Sequence, residues 1–216
     1  MVHVKSKLMA QTIGTPSWGY ADSGTRFHVW RRPWSPRNLE EKLQDAAQVQ
    51  TYTGVCSYID LHTAWDTTDD WNAVRVYAES LGLKIGAVNP HLFADDDYVL
   101  GTVCNPDERI RRKSLAKLLE GIEICKAVGS KVLSLWFADG ASFPGQDSFR
   151  VRKQRLEDAL AQVYTALPGD IRMIVEYKLF EPAFYSMDIA DWGMAYALTA
   201  KLGPKAQVLV DMGHHT

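Results

Sequence analysis

The chain has 216 residues, 46% hydrophobic and 23% charged, with a formal net charge of -2. Such a balance suits a globular fold with a sizeable core, excludes a disordered chain, and gives no broad attraction to nucleic acid or anionic lipid. No apolar run approaches the roughly 20 residues of a membrane-spanning helix, and Met1-Val2-His3-Val4-Lys5 lacks the apolar stretch of a secretory signal, so a cytoplasmic protein binding neither membrane nor nucleic acid is expected.

In chain order, Gln11 to Thr15 reads as a weak first strand that Pro16 ends, because proline cannot continue a central ladder. A long loop from Gly19 to about Asn38 carries Phe27, Trp30 and Trp34 among Arg26, Arg31, Arg32 and Arg37, the pattern of a lid or a subunit contact. Asn38 is placed to cap a helix running to about Val49. Val55 to Leu61 reads as a strand ending in His62, with Trp65 and Asp66 just beyond. Thr67 to Asp70 cap the next helix, which Gly82 stops. Lys84 to Val88 is a third strand, and the Asp95-Asp96-Asp97 triplet after it lacks calcium-loop spacing and reads as solvated.

Asn105-Pro106-Asp107-Glu108 predicts a cap, a proline at the first helical position and an acidic first turn for a helix to Val128. The basic run Arg109 to Lys113 is then a solvated face of that helix. Lys131 to Trp136 is a fourth strand with a Gly/Pro-rich exit, and Ser148 to Leu167 a helix. Ile174 to Lys178 is the fifth strand, Ser186 to Leu202 a helix that Pro204 bars, and the sixth strand begins near Gln207. Cys56, Cys104 and Cys125 have no C-x-x-C spacing and are expected reduced and mostly buried.

Two strand ends carry unusual chemistry. Ile174-Val175-Glu176-Tyr177-Lys178 breaks from an apolar run into a carboxylate and an ammonium two residues apart, which in a strand project to one side. Val208-Leu209-Val210 breaks likewise into Asp211-Met212-Gly213-His214-His215. Glu, Lys, Asp and His delivered to one rim suit hard-metal and acid/base chemistry better than core packing. Strands and helices alternate at the length of a βαβ unit, which predicts an α/β fold with a parallel sheet. No G-x-G-x-x-G phosphate turn occurs, and each strand ends in polar or aromatic candidates, the pattern of a (β/α)8 TIM barrel, although only six strands can be counted.

Thr15-Pro16-Ser17-Trp18-Gly19, Ser134-Leu135-Trp136 with Asp139-Gly140 and Phe143-Pro144-Gly145-Gln146, Glu176-Tyr177-Lys178 with Glu181-Pro182-Ala183-Phe184-Tyr185-Ser186, and Leu202-Gly203-Pro204-Lys205-Ala206-Gln207 leading into Val210-Asp211-Met212-Gly213-His214-His215 form an ordered set. Over nearly the whole chain this set resembles the bacterial L-rhamnose isomerases of the xylose-isomerase-like barrel superfamily. The resemblance implies a divalent-metal aldose/ketose isomerase, tetrameric, with a small-molecule sugar substrate, most simply L-rhamnose. It implies two metal sites, Mn²⁺ first with Mg²⁺, Co²⁺ or Zn²⁺ as rivals. Glu176 would bridge the two ions, Asp211 would serve the structural metal and His214 the catalytic one. Lys178 would polarise the sugar carbonyl, His62 would touch the substrate and assist ring opening, and Trp18, Trp65, Phe93 and Trp136 would wall the pocket.

The resemblance also marks departures. Tyr177 stands where the family has a histidine, and since it faces away from Glu176 little harm is expected. The family's remaining ligands come from a seventh and an eighth strand that have no counterpart here, and the region before the first strand is short. The expectation is therefore one barrel domain over 1–216, truncated after its sixth strand and without isomerase activity of its own. The competing readings are a metal-dependent sugar epimerase, which lacks the lysine of E-x-K, an apurinic endonuclease, which needs a basic phosphate track, and a non-catalytic interaction fragment.

Overall fold

The computed structural model describes residues 2–23, 29–179 and 186–214. Of the residues singled out above, Arg26, Phe27, the run from Glu181 to Tyr185 and His215 lie outside them. The chain divides into two compact units, Met1–Gly86 with Ala127–Gly129, and Ala87–Lys126 with Ser130–Thr216.

The first unit begins with α1 (Val2–Met9), an exposed helix that has no signature in the sequence. β1 (Gly14–Pro16) runs straight into α2 (Ser17–Tyr20), and α3 spans Leu39–Thr53. β1 lies parallel to β2 (Tyr58–His62), with Pro16 opposite Asp60 at the strand's last position, where a missing N–H is tolerated. The Asn38 side chain accepts from the Glu41 N–H at the start of α3, as its sequence predicts. α3 runs four residues beyond Val49, to a left-handed cap at Gly54 (φ 69°), and Thr53 Oγ1 takes the Val55 N–H, so β2 starts at Tyr58 and not at Val55. α4 (Trp71–Ser80) is capped by Asp70, whose carboxylate accepts from the N–H groups of Asn72 and Ala73. β3 (Lys84–Asn89) opens with the Lys84 N–H on the Ser57 carbonyl. α3 buries Leu39, Lys42, Leu43 and Ala46, an i, i+3, i+4, i+7 stripe in which one member is a lysine.

In the second unit the chain passes from the end of β3 through a 3₁₀ turn (Asp96–Leu100) to α5 (Glu108–Val128), β4 (Val132–Leu135), β5 (Gly140–Ala141) and α6 (Phe149–Ala166). β6 (Arg172–Glu176), β7 (Ser186–Met187), α7 (Trp192–Ala200) and β8 (Ala206–Leu209) follow. Val88 pairs with Leu133, Leu133 with Met173, and Met173 with Ala206, all in parallel. Leu133, Leu135, Met173 and Val175 are fully buried along these strands, as are Leu118 and Ile122 on α5 and Leu160 and Val163 on α6. The alternation along β6 puts Met173 and Val175 on one face and Ile174 and Glu176 on the other.

Four local expectations are corrected. β6 ends at Glu176, so Lys178 lies beyond the strand, where its backbone N–H bonds the Ile189 carbonyl. The helix expected from Ser186 starts at Trp192, because Ser186 and Met187 pair antiparallel with Ala141 and Gly140, and Asp191 caps the helix through the Met194 N–H. The carboxylate of Asp107 takes the Arg109 N–H at the start of α5, while Asn105 closes a turn on the Asp107 N–H and leaves the capping to it. The aspartate triplet is not merely solvated: Asp95 and Asp97 grip Lys113 at 2.6 and 2.8 Å, and Asp95 caps the 3₁₀ turn. Cys104 and Cys125 are buried free thiols and Cys56 is half-buried, as expected. Among the described residues no helix is long and apolar enough to cross a membrane.

Gly121 shows how closely α5 packs. A Cβ there would stand 2.8 Å from Pro90 Cγ and 2.9 Å from Leu133 Cδ1. Gly→Ala in a helix normally gains about 1 kcal/mol, but overpacking a filled site costs about 1–3 kcal/mol. Gly121→Ala is expected to destabilise the protein by about 1 kcal/mol or more, read as a lower denaturant midpoint at unchanged m-value.

Candidate functional site

Glu176 is the last residue of β6 and pairs in register with Leu209, the last residue of β8. Asp211 follows two positions later. Its carboxylate accepts the Gly213 N–H at 2.7 Å and its carbonyl the His214 N–H at 3.2 Å, a tight turn that folds the imidazole back over the carboxylates. His214 Nδ1 stands 2.9 Å from Asp211 Oδ2 and 3.2 Å from Glu176 Oε1. The donor atoms of all three side chains lie within 4.8 Å of one another. Nδ1 is nevertheless buried without a hydrogen bond, so both oxygens lie close to the nitrogen and outside its bonding direction. Tyr177 is 1% exposed, and its hydroxyl donates to the Asp211 carbonyl at 3.4 Å, which steadies the turn from behind.

The electrostatics of this cluster are unfavourable as it stands. Burial, with the Asp211 charge added, pushes the Glu176 carboxyl from an ordinary 4.5 up to about 7, against a smaller opposing pull from Lys178. Two carboxylates and an imidazole nitrogen, gathered without a hydrogen bond at the nitrogen, fit a divalent cation, which would draw on all three lone pairs and relieve the repulsion. Glu176, Asp211 and His214 are the residues that would hold it.

A second trio, Cys104, Asp139 and Asp188, is equally close but does not fit an ion. Asp139 already accepts from the Thr102 N–H (2.7 Å), the Cys104 N–H (2.9 Å) and the Thr102 hydroxyl. Asp188 is engaged by the buried Arg152 guanidinium at 2.7 Å, and burial pushes the Cys104 thiol well up, away from the thiolate a metal needs. This network holds the exit loop of β4.

The same unit places a line of rings beside Lys178. The ammonium sits 5.2 Å from the centroid of Trp136, Trp136 is 5.4 Å from Phe93, and Phe93 is 5.0 Å from His91. His91 was not singled out from the sequence. A lone histidine after Asn-Pro has no sequence signal; in the structure its Nε2 accepts the Ala94 N–H at 3.0 Å, and burial lowers its pKa.

In the first unit Trp18, His62 and Trp65 come together, at 5.5 Å (Trp18 to His62, edge-on), 4.6 Å (His62 to Trp65) and 6.3 Å (Trp18 to Trp65). His62 Nδ1 accepts the Ala64 N–H at 3.1 Å, a bond that orients the ring. Behind the rings lies a buried ion pair, Lys42 Nζ to Asp66 Oδ1 at 2.7 Å. Lys42 and Ser17 were missed in the sequence, and Asp66 was noted only for its position. The signal for Lys42 was available, since it occupies an apolar-stripe position three residues after Leu39 and one before Leu43.

No family model matches the chain. It is 42% identical over 217 residues to a protein of Rhizobium meliloti (strain 1021) named "Probable sugar isomerase", covering 98% of this chain and 50% of that protein. It is 37% identical, with the same coverage, to a protein of the same name from Mesorhizobium japonicum. The chain thus spans about half the length of the curated relatives it matches. Among solved structures it is similar to D-psicose 3-epimerase from Clostridium cellulolyticum H10, with TM-score 0.66, 10% identity, and 94% of this chain and 64% of that one covered. It is also similar to the IolI protein with a bound zinc atom, with TM-score 0.66, 12% identity and the same coverage. At such identities the likeness concerns the fold, which is α/β with parallel strands and of the xylose-isomerase-like TIM-barrel kind.

The Glu176 carboxyl binds its proton more tightly in the folded state. Its contribution to stability is therefore complete below about pH 4.5 and is lost as pH rises through about 7. Glu176→Gln is expected to raise the stability of the metal-free protein at pH 8 by on the order of 2 kcal/mol while abolishing measurable Mn²⁺ binding. Thermal melts with chelator and calorimetric Mn²⁺ titration check the two halves, and a merely structural glutamate would give a variant whose Mn²⁺ affinity equals the parent's.

Proposed function

We propose that the chain carries part of the site of a divalent-metal-dependent sugar isomerase that interconverts an aldose and its ketose, with L-rhamnose and L-rhamnulose as the substrate pair and Mn²⁺ as the ion. The observation that carries this reading is the convergence of Glu176, Asp211 and the unbonded Nδ1 of His214, with Lys178 close enough to act on Glu176. The names of the relatives support the reaction class. A homotetramer, by the family resemblance, belongs to the same reading.

Moving hydrogen between C1 and C2 of an open-chain sugar develops negative charge on two neighbouring oxygens. A divalent ion held by the three side chains would supply Lewis acidity there. Lys178 keeps its ammonium against the Trp136 face, a position where it can donate a proton to a carbonyl oxygen and stabilise the charge that grows on it. Trp136, half-buried and in ring contact with the buried Phe93, offers apolar area to the C–H face of a sugar. By the family resemblance His62 would also touch the substrate.

Lys178 is the discriminating residue, since an epimerase of this fold has no use for the lysine two positions after its metal glutamate. Lys178→Met is expected to retain Mn²⁺ and sugar binding while kcat falls by about two to four powers of ten; a near-parental kcat would return Lys178 to a structural role. Apolar walls discriminate one methyl or hydroxyl by only about 1–3 kcal/mol, so related sugars such as L-mannose and D-allose are expected to turn over more slowly and not to be rejected. Relative kcat/KM across an aldose panel checks this, and lack of activity on any 6-deoxyhexose would overturn the assigned sugar.

A further inference from the structure

We propose that the buried Lys42–Asp66 pair, with Ser17, is a positioning device that sets the angles of the Trp18, His62 and Trp65 rings so that they form a stacking wall for a sugar. The proposal rests on the sugar-isomerase reading for the identity of the ligand, and on geometry alone for the ring-holding role.

The geometry is specific. The Asp66 carboxylate is fully buried and the Lys42 side chain is 4% exposed. Asp66 Oδ2 accepts from Ser17 Oγ at 2.5 Å and from the His62 N–H at 2.7 Å, and Oδ1 accepts from Lys42 Nζ at 2.7 Å. Lys42 Nζ also donates to the Trp65 carbonyl at 3.1 Å. Each bond therefore ends on a ring-bearing residue or on its immediate neighbour, since Ser17 precedes Trp18, His62 is bound at its own N–H, and Trp65 at its own carbonyl. One carboxylate thus ties the start of α2, the end of β2 and the turn after it to a single point on α3.

A purely structural explanation is weak. A buried ion pair rarely stabilises a fold more than well-packed apolar residues of the same volume would, because desolvation consumes most of the attraction. Apolar packing could hold these segments together equally well, but it would not fix their rotation, whereas three directional bonds to one carboxylate do. Ring angles matter when a ligand must lie flat against them, since binding constellations tolerate only about 0.5 Å and 10–20° of error.

The test uses the protein labelled with 5-fluorotryptophan, whose seven tryptophan lines are assigned by single Trp→Phe replacements. Lys42→Met/Asp66→Asn removes both charges together, so that no lone buried charge remains. It is expected to shift or broaden the Trp18 and Trp65 lines and leave the Trp192 line in place. Ser17→Ala, which leaves the ion pair intact, is expected to move the Trp18 line alone and covers the case in which the double variant does not fold. With Mn²⁺ present and L-rhamnose as the probe, KM is expected to rise about tenfold while kcat stays within about threefold, the pattern of lost uniform binding. Trp18 and Trp65 lines that superimpose on the parent's in whichever variants fold would overturn the proposal, whatever the sugar kinetics. Shifted lines in a parent protein that turns over no aldose would instead overturn the isomerase reading and leave the ring-holding role standing.

Discussion

The register between β6 and β8 is the constraint on which the candidate site depends. With Glu176 opposite Leu209, the two strands end level, and whatever follows β8 emerges beside the Glu176 carboxylate. A slip of one residue would exchange the faces of β6, turning Glu176 toward the side where Met173 and Val175 are buried. The apolar side chains therefore help to hold the Glu176 carboxylate in place, because burial of Met173 and Val175 opposes a one-residue slip. The D-M-G-H turn then needs to span a short distance, and its two backbone bonds to Asp211 close it.

The cost of that arrangement falls on Glu176. Its folded-state pKa near 7 means that ionised Glu176 opposes folding at neutral pH, which is the usual cost of preorganising a site for a cation. Evolution's simplest remedy, an arginine or lysine bonded directly to the carboxylate, would fill the space an ion needs. Lys178 stands instead against Trp136 and acts on Glu176 only as a minor electrostatic influence.

Elsewhere in the chain, carboxylates that could be mistaken for ligands are consumed by structure. Asp139 and Asp188 spend their lone pairs on Thr102, Cys104 and Arg152, and so hold a loop with no oxygen left over. Asp95 and Asp97 clamp Lys113 at the start of α5. The distinction between these clusters and the Glu176 group rests on a hydrogen-bond count, with His214 Nδ1 as the buried atom that has close neighbours and no bond.

Much of this was written in local sequence. Asn38, Asp70 and Ser148 cap the helices they precede, Gly54 and Gly82 adopt left-handed caps or turns at helix ends, and the breaks after Val175 and Val210 mark the candidate ligands, because capping and strand alternation are decided within a few residues. The tertiary structure alone decided what depends on partners distant in sequence. Ser186-Met187 became a strand because Gly140-Ala141 reached it, and Asp107 displaced Asn105 as a cap because Asn105 was held elsewhere. Lys42 stands at an apolar-stripe position of its helix, which marks it for burial, but the carboxylate that makes this burial tolerable lies 24 residues away, and no window of local sequence contains both.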